Sequence, residues 1–469
     1  MSKKILFAAS EVYPFTKTGG LADVAYSLPR ALKDNYDIEV ITPLYRSIPR
    51  EEYGIVSLGD PFTLTMGDDD YTVEMYGCTY EGITYRFVYS PILCEREFLY
   101  GTPQEGYEDN ALRFGLFSYT ITALLRGENY DIVHLNDWQC ALVALLVHDD
   151  LEITTKTLYT IHNLAYQGVF EPTVLKELGI SESYFTHESL EFYGKVNFMK
   201  AGITYANSIT TVSPTYAKEI LTSEFGCGLE GFLQCHRHKL TGILNGLDAS
   251  LVAPYSNSKA KKPSKTSLLK QLGLKGVTKP LFVFIGRFVS QKGVDLLIET
   301  LPKIAAMNCN IALLGEGEEQ YYEKLSEMIK LHPNIRLTPS YDETLAHQMY
   351  AAADFLLMPS LFEPCGLNQM IAFVYGTIPI VHRVGGLVDT VKRFETYDSE
   401  SSDGYGVVFF TPTPRSLLLA VRKSVELYGD KKLFESISNH NMQCDFSWDQ
   451  SSKLYATLYD SLLIGETIV

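Results

Sequence analysis

The sequence contains little tryptophan, few cysteines and no long apolar run. It has 2 Trp and 8 Cys among 469 residues, and the cysteines are scattered along the chain. Scattered thiols are typical of reduced proteins of the cytoplasm rather than of disulfide-bonded secreted ones. No stretch approaches the roughly 18 consecutive apolar residues of a membrane span, and no secretory signal precedes the first apolar run. We therefore expect a cytoplasmic protein with no membrane partner.

The chain also lacks an excess of positive charge. It carries 40 Lys and Arg against 56 Asp and Glu, a net charge of −16. A strongly acidic protein is repelled by nucleic acids and by anionic membranes, so neither is an expected partner. A neutral polymer is not excluded by this charge.

Two stretches invite a metal interpretation, and neither has the pattern that a metal site needs. Cys235-His236-Arg237-His238 has no second cluster at ligand spacing. Asp68-Asp69-Asp70 resembles the D-x-D pair of nucleotide-sugar enzymes of another architecture, but its composition indicates a turn with solvated carboxylates. We expect no metal.

The length and the patterning indicate two α/β domains. A chain of 469 residues is too long for one core. Short apolar runs alternate with helical patterns, as in Lys4–Ala9, Ile132–Leu135 and Lys156–Ile161. Between residues 55 and 90 the pattern changes to short alternating runs, which predict antiparallel hairpins. The Lys/Ser/Pro-rich stretch Ala253–Lys279 predicts an exposed connection, after which a second strand–helix series begins.

The first strand-to-helix connection carries Lys17-Thr18-Gly19-Gly20. In an open parallel sheet this connection lies at the carboxyl end of the strand, where ligands bind. The glycines allow close approach to the backbone, and the start of the helix offers N–H groups to an anion. An ordinary turn with a solvated lysine is the alternative.

Three connections of the second half carry polar groups at equivalent places. Gly286–Gly293 places Arg287 and Lys292 at a helix entrance, which suits a diphosphate. Glu363 follows another strand and can accept hydrogen bonds from sugar hydroxyls, although a carboxylate that caps its own helix is the alternative. Gly385-Gly386 repeats the form of the first glycine turn.

These motifs, together and in this order, closely resemble those of the bacterial glycogen synthase and plant starch synthase family. The resemblance runs from Lys4 to Asp445-Phe446-Ser447-Trp448. It implies the GT-B architecture: α/β, with two Rossmann-like doubly wound domains facing a deep interdomain cleft and a C-terminal helix that crosses back to the first domain. The implied domains are residues 1–245 with a hairpin insertion at about 55–90, residues 246–446, and a final helix in 447–469.

The resemblance also implies roles for individual residues. Arg287 and Lys292 would neutralise the diphosphate, Glu363 would bind the donor glucose, and Lys17 and His162 would act at the reacting centre. The positions implied to bind substrate are Gly20, Asp23, Asp137, Asn163, Tyr341, Cys365, Gly366, Leu367, Gly385 and Gly386. Tyr341 matches a position that packs on the nucleotide base.

The implied reaction transfers glucose from ADP-glucose to the non-reducing end of an α-1,4-glucan such as glycogen, with retention at the anomeric carbon. No metal or organic cofactor is implied. Related retaining transferases carry a second Glu eight residues after the first, and Ile371 stands there in this chain. A double displacement therefore lacks its second carboxylate, which favours front-face substitution. UDP-glucose as donor, a phosphorylase-like enzyme and a non-catalytic glucan-binding protein remain alternatives, and the oligomeric state stays open.

Overall fold

The structure is a computed structural model that describes residues 3–102, 105–248, 255, 257–340 and 342–465. The chain divides into two compact units. The first unit comprises Met1–Val212, Ala217–Gly246 and Trp448–Val469, and the second comprises Ser213–Tyr216 and Leu247–Ser447. Among the described residues, no helix has both the length and the apolar character that crossing a membrane requires.

A ten-stranded sheet forms the centre of the first unit, in the order β13-β12-β8-β7-β1-β2-β6-β5-β3, with β4 paired to β5. Strands β9 to β11 form a separate small antiparallel sheet. The bounds are β1 (Lys4–Ala8), β2 (Asp37–Pro43), β3 (Val56–Ser57), β4 (Phe62–Met66), β5 (Asp69–Tyr80), β6 (Ile83–Tyr89), β7 (Ile132–Asn136), β8 (Lys156–Ile161), β9 (Val169–Phe170), β10 (Glu191–Phe192), β11 (Lys195–Asn197), β12 (Ser208–Thr211) and β13 (Leu240–Gly242).

Pairing is parallel from β13 to β6 and antiparallel among β3, β4, β5 and β6. The predicted hairpins are thus confirmed. Asp68 lies in a turn, as predicted, but Asp69 and Asp70 begin β5. All three carboxylates are exposed, and Asp70 accepts a hydrogen bond from Thr65 at 2.7 Å.

Helices surround this sheet because their apolar residues recur at helical spacing. In α1 the residues Leu21, Val24, Ala25 and Leu28 are buried. The bounds of the helices before residue 246 are α1 (Gly20–Leu32), α2 (Pro91–Cys94), α3 (Asn110–Gly127), α4 (Leu142–Asp149), α5 (Val174–Leu178), α6 (Phe198–Tyr205), α7 (Pro214–Glu219) and α8 (Glu230–Cys235).

The second unit is built on a seven-stranded parallel sheet in the order β16-β15-β14-β17-β18-β20-β19. The strands are β14 (Leu281–Ile285), β15 (Asn310–Leu314), β16 (Ile335–Thr338), β17 (Phe355–Met358), β18 (Ile378–His382), β19 (Val391–Arg393) and β20 (Gly404–Phe409). The helices are α9 (Lys261–Gln271), α10 (Val294–Ala305), α11 (Glu319–Leu331), α12 (Glu343–Ala352), α13 (Asn368–Val374), α14 (Gly386–Thr390), α15 (Pro414–Gly429) and α16 (Lys431–Asn441).

The prediction of an exposed connection over Ala253–Lys279 is wrong for most of that stretch. Residues 253, 254 and 256 lie outside the described residues, but α9 begins at Lys261 and buries two of its lysines. Lys261 donates to Thr377 at 2.6 Å, and Lys265 forms an ion pair with Asp354. Burial lowers the pKa of Lys261 to about 7. The lysine-rich composition indicated exposed side chains because lysine is rarely buried unless it is paired. The partners of these two lysines are distant in the sequence, so the composition of this stretch does not reveal them.

The last helix, α17 (Trp448–Ile464), belongs to the first unit. The chain therefore returns from the second unit to the first, as predicted. Tyr36 donates to Asp460 at 2.8 Å, and Tyr459 and His134 are hydrogen-bonded at 2.7 Å. The final helix is therefore fixed by side chains of the first unit's sheet and helices.

In each of the two large sheets, the chain builds outward in opposite directions from one pair of neighbouring parallel strands. In the first unit this switch point lies between β1 and β7, and in the second between β14 and β17. Ligands of open α/β sheets bind in the crevice at the carboxyl ends of such strands. The predicted site residues that the structure describes follow β1, β7 and β8 in the first unit, and β14, β17 and β18 in the second.

Candidate active site

In the first unit, a buried carboxylate organises the loop that follows β1. Glu11 is 3% exposed and accepts hydrogen bonds from the backbone N–H and the hydroxyl of Thr18, the latter at 2.7 Å, and from the N–H of Gly19. Burial raises the pKa of Glu11 to about 7, although these hydrogen bonds act in the opposite direction. The glycine loop is thus fixed from inside, by a residue that the sequence did not single out.

Lys17 points its charge at the first turn of α1. Its Nζ lies 2.8 Å from a carboxylate oxygen of Asp23. Gly20 is the first residue of α1, and no side chain caps the helix at Gly19. The N–H groups of the first turn therefore depend on an external oxygen for hydrogen bonds. Lys17 is exposed as well as ion-paired, so this contact does not decide between a phosphate-binding lysine and an ordinary turn with a solvated lysine.

Asp137, which follows β7, is hydrogen-bonded to the residues that follow β8. Its carboxylate accepts the backbone N–H of His162 at 2.8 Å and, more weakly, that of Asn163 at 3.4 Å. Burial raises the pKa of Asp137 to about 7, and the charge of Glu11 adds to the rise. The backbone of Asp137 has a φ of 55°, in the left-handed region. Such strain in a non-glycine residue is often found at functional sites.

His162 is held as a neutral imidazole in one tautomer. Its Nε2 lies 2.8 Å from the amide oxygen of Asn136, whose amide nitrogen donates to the carbonyl of Ala8 at 2.9 Å. Because the amide is oriented by Ala8, Nε2 must carry the proton and Nδ1 the lone pair. Burial lowers the pKa of His162 to about 3. The ring is therefore uncharged at any working pH.

In the second unit, Lys292, which is predicted to bind phosphate, forms an ion pair with Glu363, which is predicted to bind the sugar. Lys292 Nζ lies 2.9 Å and 2.7 Å from the two carboxylate oxygens of Glu363, and Ser360 donates to the same carboxylate at 2.9 Å. Glu363 is 5% exposed. Lys292 comes from the connection after β14 and Glu363 from the one after β17, so the pair bridges the two strands at the switch point.

Glu363 does not cap the helix behind it. Helix α13 begins at Asn368, and its start at Leu367 has no side-chain cap. The bonds of the Glu363 carboxylate go to Lys292 and Ser360 instead, while its backbone carbonyl accepts the N–H of Gly386 at 3.0 Å. The helix-capping alternative is therefore wrong.

The glycines of the second unit allow backbone segments to approach closely. A Cβ on Gly386 would lie 2.1 Å from the carbonyl oxygen of Cys365, which is itself buried. Gly366 and Gly385 have φ values of 75° and 48°. A side chain at Gly386 would therefore separate the connection after β17 from the one after β18.

The remaining predicted residues are placed as follows. Arg287 follows β14 and has an exposed side chain. Tyr341 lies outside the described residues. Among the residues that the structure describes, no three His, Cys, Asp or Glu side chains come together as a possible metal site. The prediction that no cofactor is needed is not tested by this and stays a prediction.

Comparison with known proteins identifies the family. Residues 4–235 match the family model of the starch synthase catalytic domain, and residues 267–437 match that of the group 1 glycosyl transferases. The glycogen synthase of Aquifex aeolicus is 41% identical, with 98% of this chain and 99% of that protein covered. That of Cellvibrio japonicus is 40% identical over the same shares. The chain belongs to the glycogen synthase and starch synthase family.

Solved structures agree with this family. The catalytic domain of starch synthase IV from Arabidopsis thaliana, bound to ADP and acarbose, aligns with a TM-score of 0.89 at 31% identity and covers 99% of both chains. The sucrose-phosphate synthase of Thermosynechococcus elongatus aligns with a TM-score of 0.64 at 17% identity, over 99% of this chain and 100% of that one, and shows the fold alone. The protein is thus a glycosyltransferase of GT-B fold, as the motifs predict.

Within this glycosyltransferase, the structure adds three residues that the motifs did not indicate. Glu11 holds the glycine loop, Asn136 orients His162, and Ser360 donates to Glu363. A sequence signal existed for Glu11 and Asn136, because each is a polar residue at the carboxyl end of an apolar strand. Nothing in the sequence indicated that Ser360 contacts Glu363.

Proposed function

We propose that this glycosyltransferase transfers glucose from ADP-glucose to the 4-hydroxyl at the non-reducing end of an α-1,4-glucan, with retention of the anomeric configuration. The observation that carries the proposal is the Lys292–Glu363 pair at the switch point of the second unit. It combines a fixed cation for a diphosphate with a buried carboxylate for sugar hydroxyls. The Arabidopsis relative bound to ADP and acarbose supports the same classes of ligand.

The second unit would bind the donor. Arg287 and Lys292 would neutralise the diphosphate, and the N–H groups near Gly366, Leu367, Gly385 and Gly386 would donate hydrogen bonds to its oxygens. In the absence of donor, Glu363 neutralises Lys292. When the diphosphate binds, Lys292 can turn to the phosphate oxygens and Glu363 can accept hydrogen bonds from the glucose.

The first unit would serve the chemical step on the same donor. Lys17 would leave Asp23 for the diphosphate, and Gly20 would donate its N–H. Asp137 and Asn163 would position sugar hydroxyls near His162. Neutral His162 adds no positive charge beside the anomeric carbon, where an oxocarbenium-like charge develops.

The proposed transfer is a front-face substitution. The bond between the anomeric carbon and the diphosphate oxygen breaks, and the acceptor's 4-oxygen bonds to the same face of that carbon. The 4-hydroxyl proton passes to the departing diphosphate oxygen, so that atoms and charge balance. Fixed cations stabilise the charge that develops on the leaving group. No second carboxylate, metal or organic cofactor takes part.

The donor base is tested by initial rates on glycogen with ADP-glucose and UDP-glucose under identical conditions. We expect ADP-glucose to have the larger kcat/KM. A larger kcat/KM for UDP-glucose would contradict the proposed donor but leave the transfer itself intact. Retention is tested by the anomeric proton coupling of the newly formed linkage, and a β-linked product would contradict the mechanism.

A further inference from the structure

The second unit contains a cavity of about 230 Å³ that none of the proposed donor contacts lines. Three cationic side chains, Arg383, Lys392 and Arg393, form part of its wall, and Val388, Val391 and Val408 form an apolar part. Ligand pockets for drug-sized molecules are about 300–1,000 Å³. A cavity somewhat smaller than that range suits a small molecule.

The cavity lies on the far side of α14 from the donor turn. Gly386 packs against Cys365, whereas Val388 lines the cavity. Two residues advance about 200° around a helix axis, so Gly386 and Val388 point in opposite directions. The cavity is therefore distinct from the proposed diphosphate contacts, although both adjoin the same short helix.

The charge around the cavity is not balanced. Glu395 lies 3.5 Å from Arg393 and 2.7 Å from Lys423, and it is the carboxylate shared by these two cations. Among the residues that the structure describes, Arg383 and Lys392 form no ion pair. The wall of the cavity thus carries three cations, and there is no carboxylate among the described residues that line it. Cations around one cavity repel each other, and a bound anion reduces that repulsion.

An exposed aromatic ring orients two of these cations. Phe410 is 57% exposed, and the guanidinium carbons of Arg383 and Arg393 lie 5.9 Å and 5.8 Å from its ring centroid. An arginine stacked on a ring loses less side-chain freedom when it binds a phosphate, because its planar fork is already positioned. Cationic side chains beside an apolar surface can bind a small organic molecule that carries a phosphate group.

We propose that this cavity is a second anion site, which binds a small phosphate-bearing molecule independently of the sugar donor. Arg383, Lys392 and Arg393 contact the phosphate, and the valines contact the attached body. Because Val388 belongs to α14, the ligand contacts the helix whose first residue donates its N–H to the Glu363 carbonyl.

The test titrates inorganic pyrophosphate into the full-length protein by calorimetry, with ADP present at saturation so that the diphosphate site is occupied. Sodium chloride keeps the ionic strength constant. We expect one equivalent of pyrophosphate to bind. Lys392→Gln should weaken this binding about tenfold, and the Lys392→Gln/Arg393→Gln double variant should abolish it. Lys432→Gln, which removes an exposed cation elsewhere in the same unit, should bind as the wild type does.

Two results would overturn the proposal. One is the absence of pyrophosphate binding in the presence of ADP, and the other is equal affinity in the wild type and Lys392→Gln. A polyglutamate peptide that binds as tightly as pyrophosphate would also contradict a site for small phosphates. If ADP itself fails to bind, that contradicts the proposed donor, and the comparison of Lys392→Gln with wild type is then made without ADP.

Discussion

The buried titratable groups of the two candidate sites differ in their electrostatics, although the exposed Lys17 and Asp23 form an ion pair in the first unit as well. In the second unit the groups are charged and paired, as Lys292 and Glu363 show. In the first unit burial moves the titratable groups toward their neutral forms: the pKa values of Glu11 and Asp137 rise to about 7, and that of His162 falls to about 3. The same fold thus supports two kinds of surface.

The difference follows from what surrounds each group. Lys292 and Glu363 form an ion pair at 2.7 Å, whereas burial is the main cause that raises the pKa values of Glu11 and Asp137. A neighbouring carboxylate adds to each rise: Asp23 for Glu11, and Glu11 for Asp137. A charged surface suits a diphosphate, and a dry, nearly neutral one suits a sugar at the moment of transfer. The comparison therefore agrees with the proposed function, in which the second unit binds the donor and the first serves the chemical step.

The largest effect is expected at Glu363. Glu363→Gln keeps the volume but removes the carboxylate, so turnover should fall about 100-fold, the scale of a lost transition-state contact. Lys292 is then released from its partner, and calorimetry should show ADP affinity within a few-fold of the wild type. Ser360→Ala, which removes one hydrogen bond to Glu363, should lower turnover by about tenfold. Near-normal turnover in Glu363→Gln would show that this carboxylate does not bind the donor sugar.

A second prediction concerns the pH dependence of stability through Glu11. Its pKa in the folded protein is about 7, above the ordinary value of 4.5, so between these pH values the folded chain holds a proton that the unfolded chain has lost. The free energy of unfolding therefore falls as pH rises through this window, by about 3 kcal/mol from this group, at about 1.4 kcal/mol per pKa unit.

Glu11→Gln should remove that contribution. Measured by denaturant unfolding, the variant should gain stability relative to wild type between pH 4.5 and 8. Exposed Glu152→Gln is the control and should follow the wild type at every pH. A constant difference between Glu11→Gln and the wild type across this range would mean that Glu11 is ionised throughout.

The smallest effect is expected from chelation. Since fixed cations are proposed to neutralise the diphosphate, treatment with EDTA followed by gel filtration should leave kcat within twofold. A loss of activity that Mg²⁺ or Mn²⁺ restores would show that a metal ion, and not only the lysine and arginine of the second unit, neutralises the diphosphate.

Local patterns predicted many strands of the parallel sheets, because strands such as β14, β15 and β17 are buried apolar runs. They failed where a polar residue is paired over a long sequence distance. The sequence indicated that Lys261 and Lys265 are solvated, whereas in the structure Lys261 contacts Thr377 and Lys265 contacts Asp354. For the same reason the motifs named Lys292 and Glu363 separately but gave no indication that they form one pair. Glu11 was missed although it follows an apolar strand, because the sequence does not show that Glu11 contacts Thr18 and Gly19.

The division of labour between the units is tested most directly by ADP affinity in two variants, measured by calorimetry alongside turnover. Arg287→Ala, in the second unit, should weaken ADP binding at least tenfold. Lys17→Ala, in the first, should leave the ADP dissociation constant within a few-fold of wild type yet lower turnover by roughly two orders of magnitude. Asp23→Asn controls for the lost ion pair and should keep the ADP affinity. If Lys17→Ala loses ADP affinity as steeply as turnover, the first unit binds the donor too, and the account is contradicted.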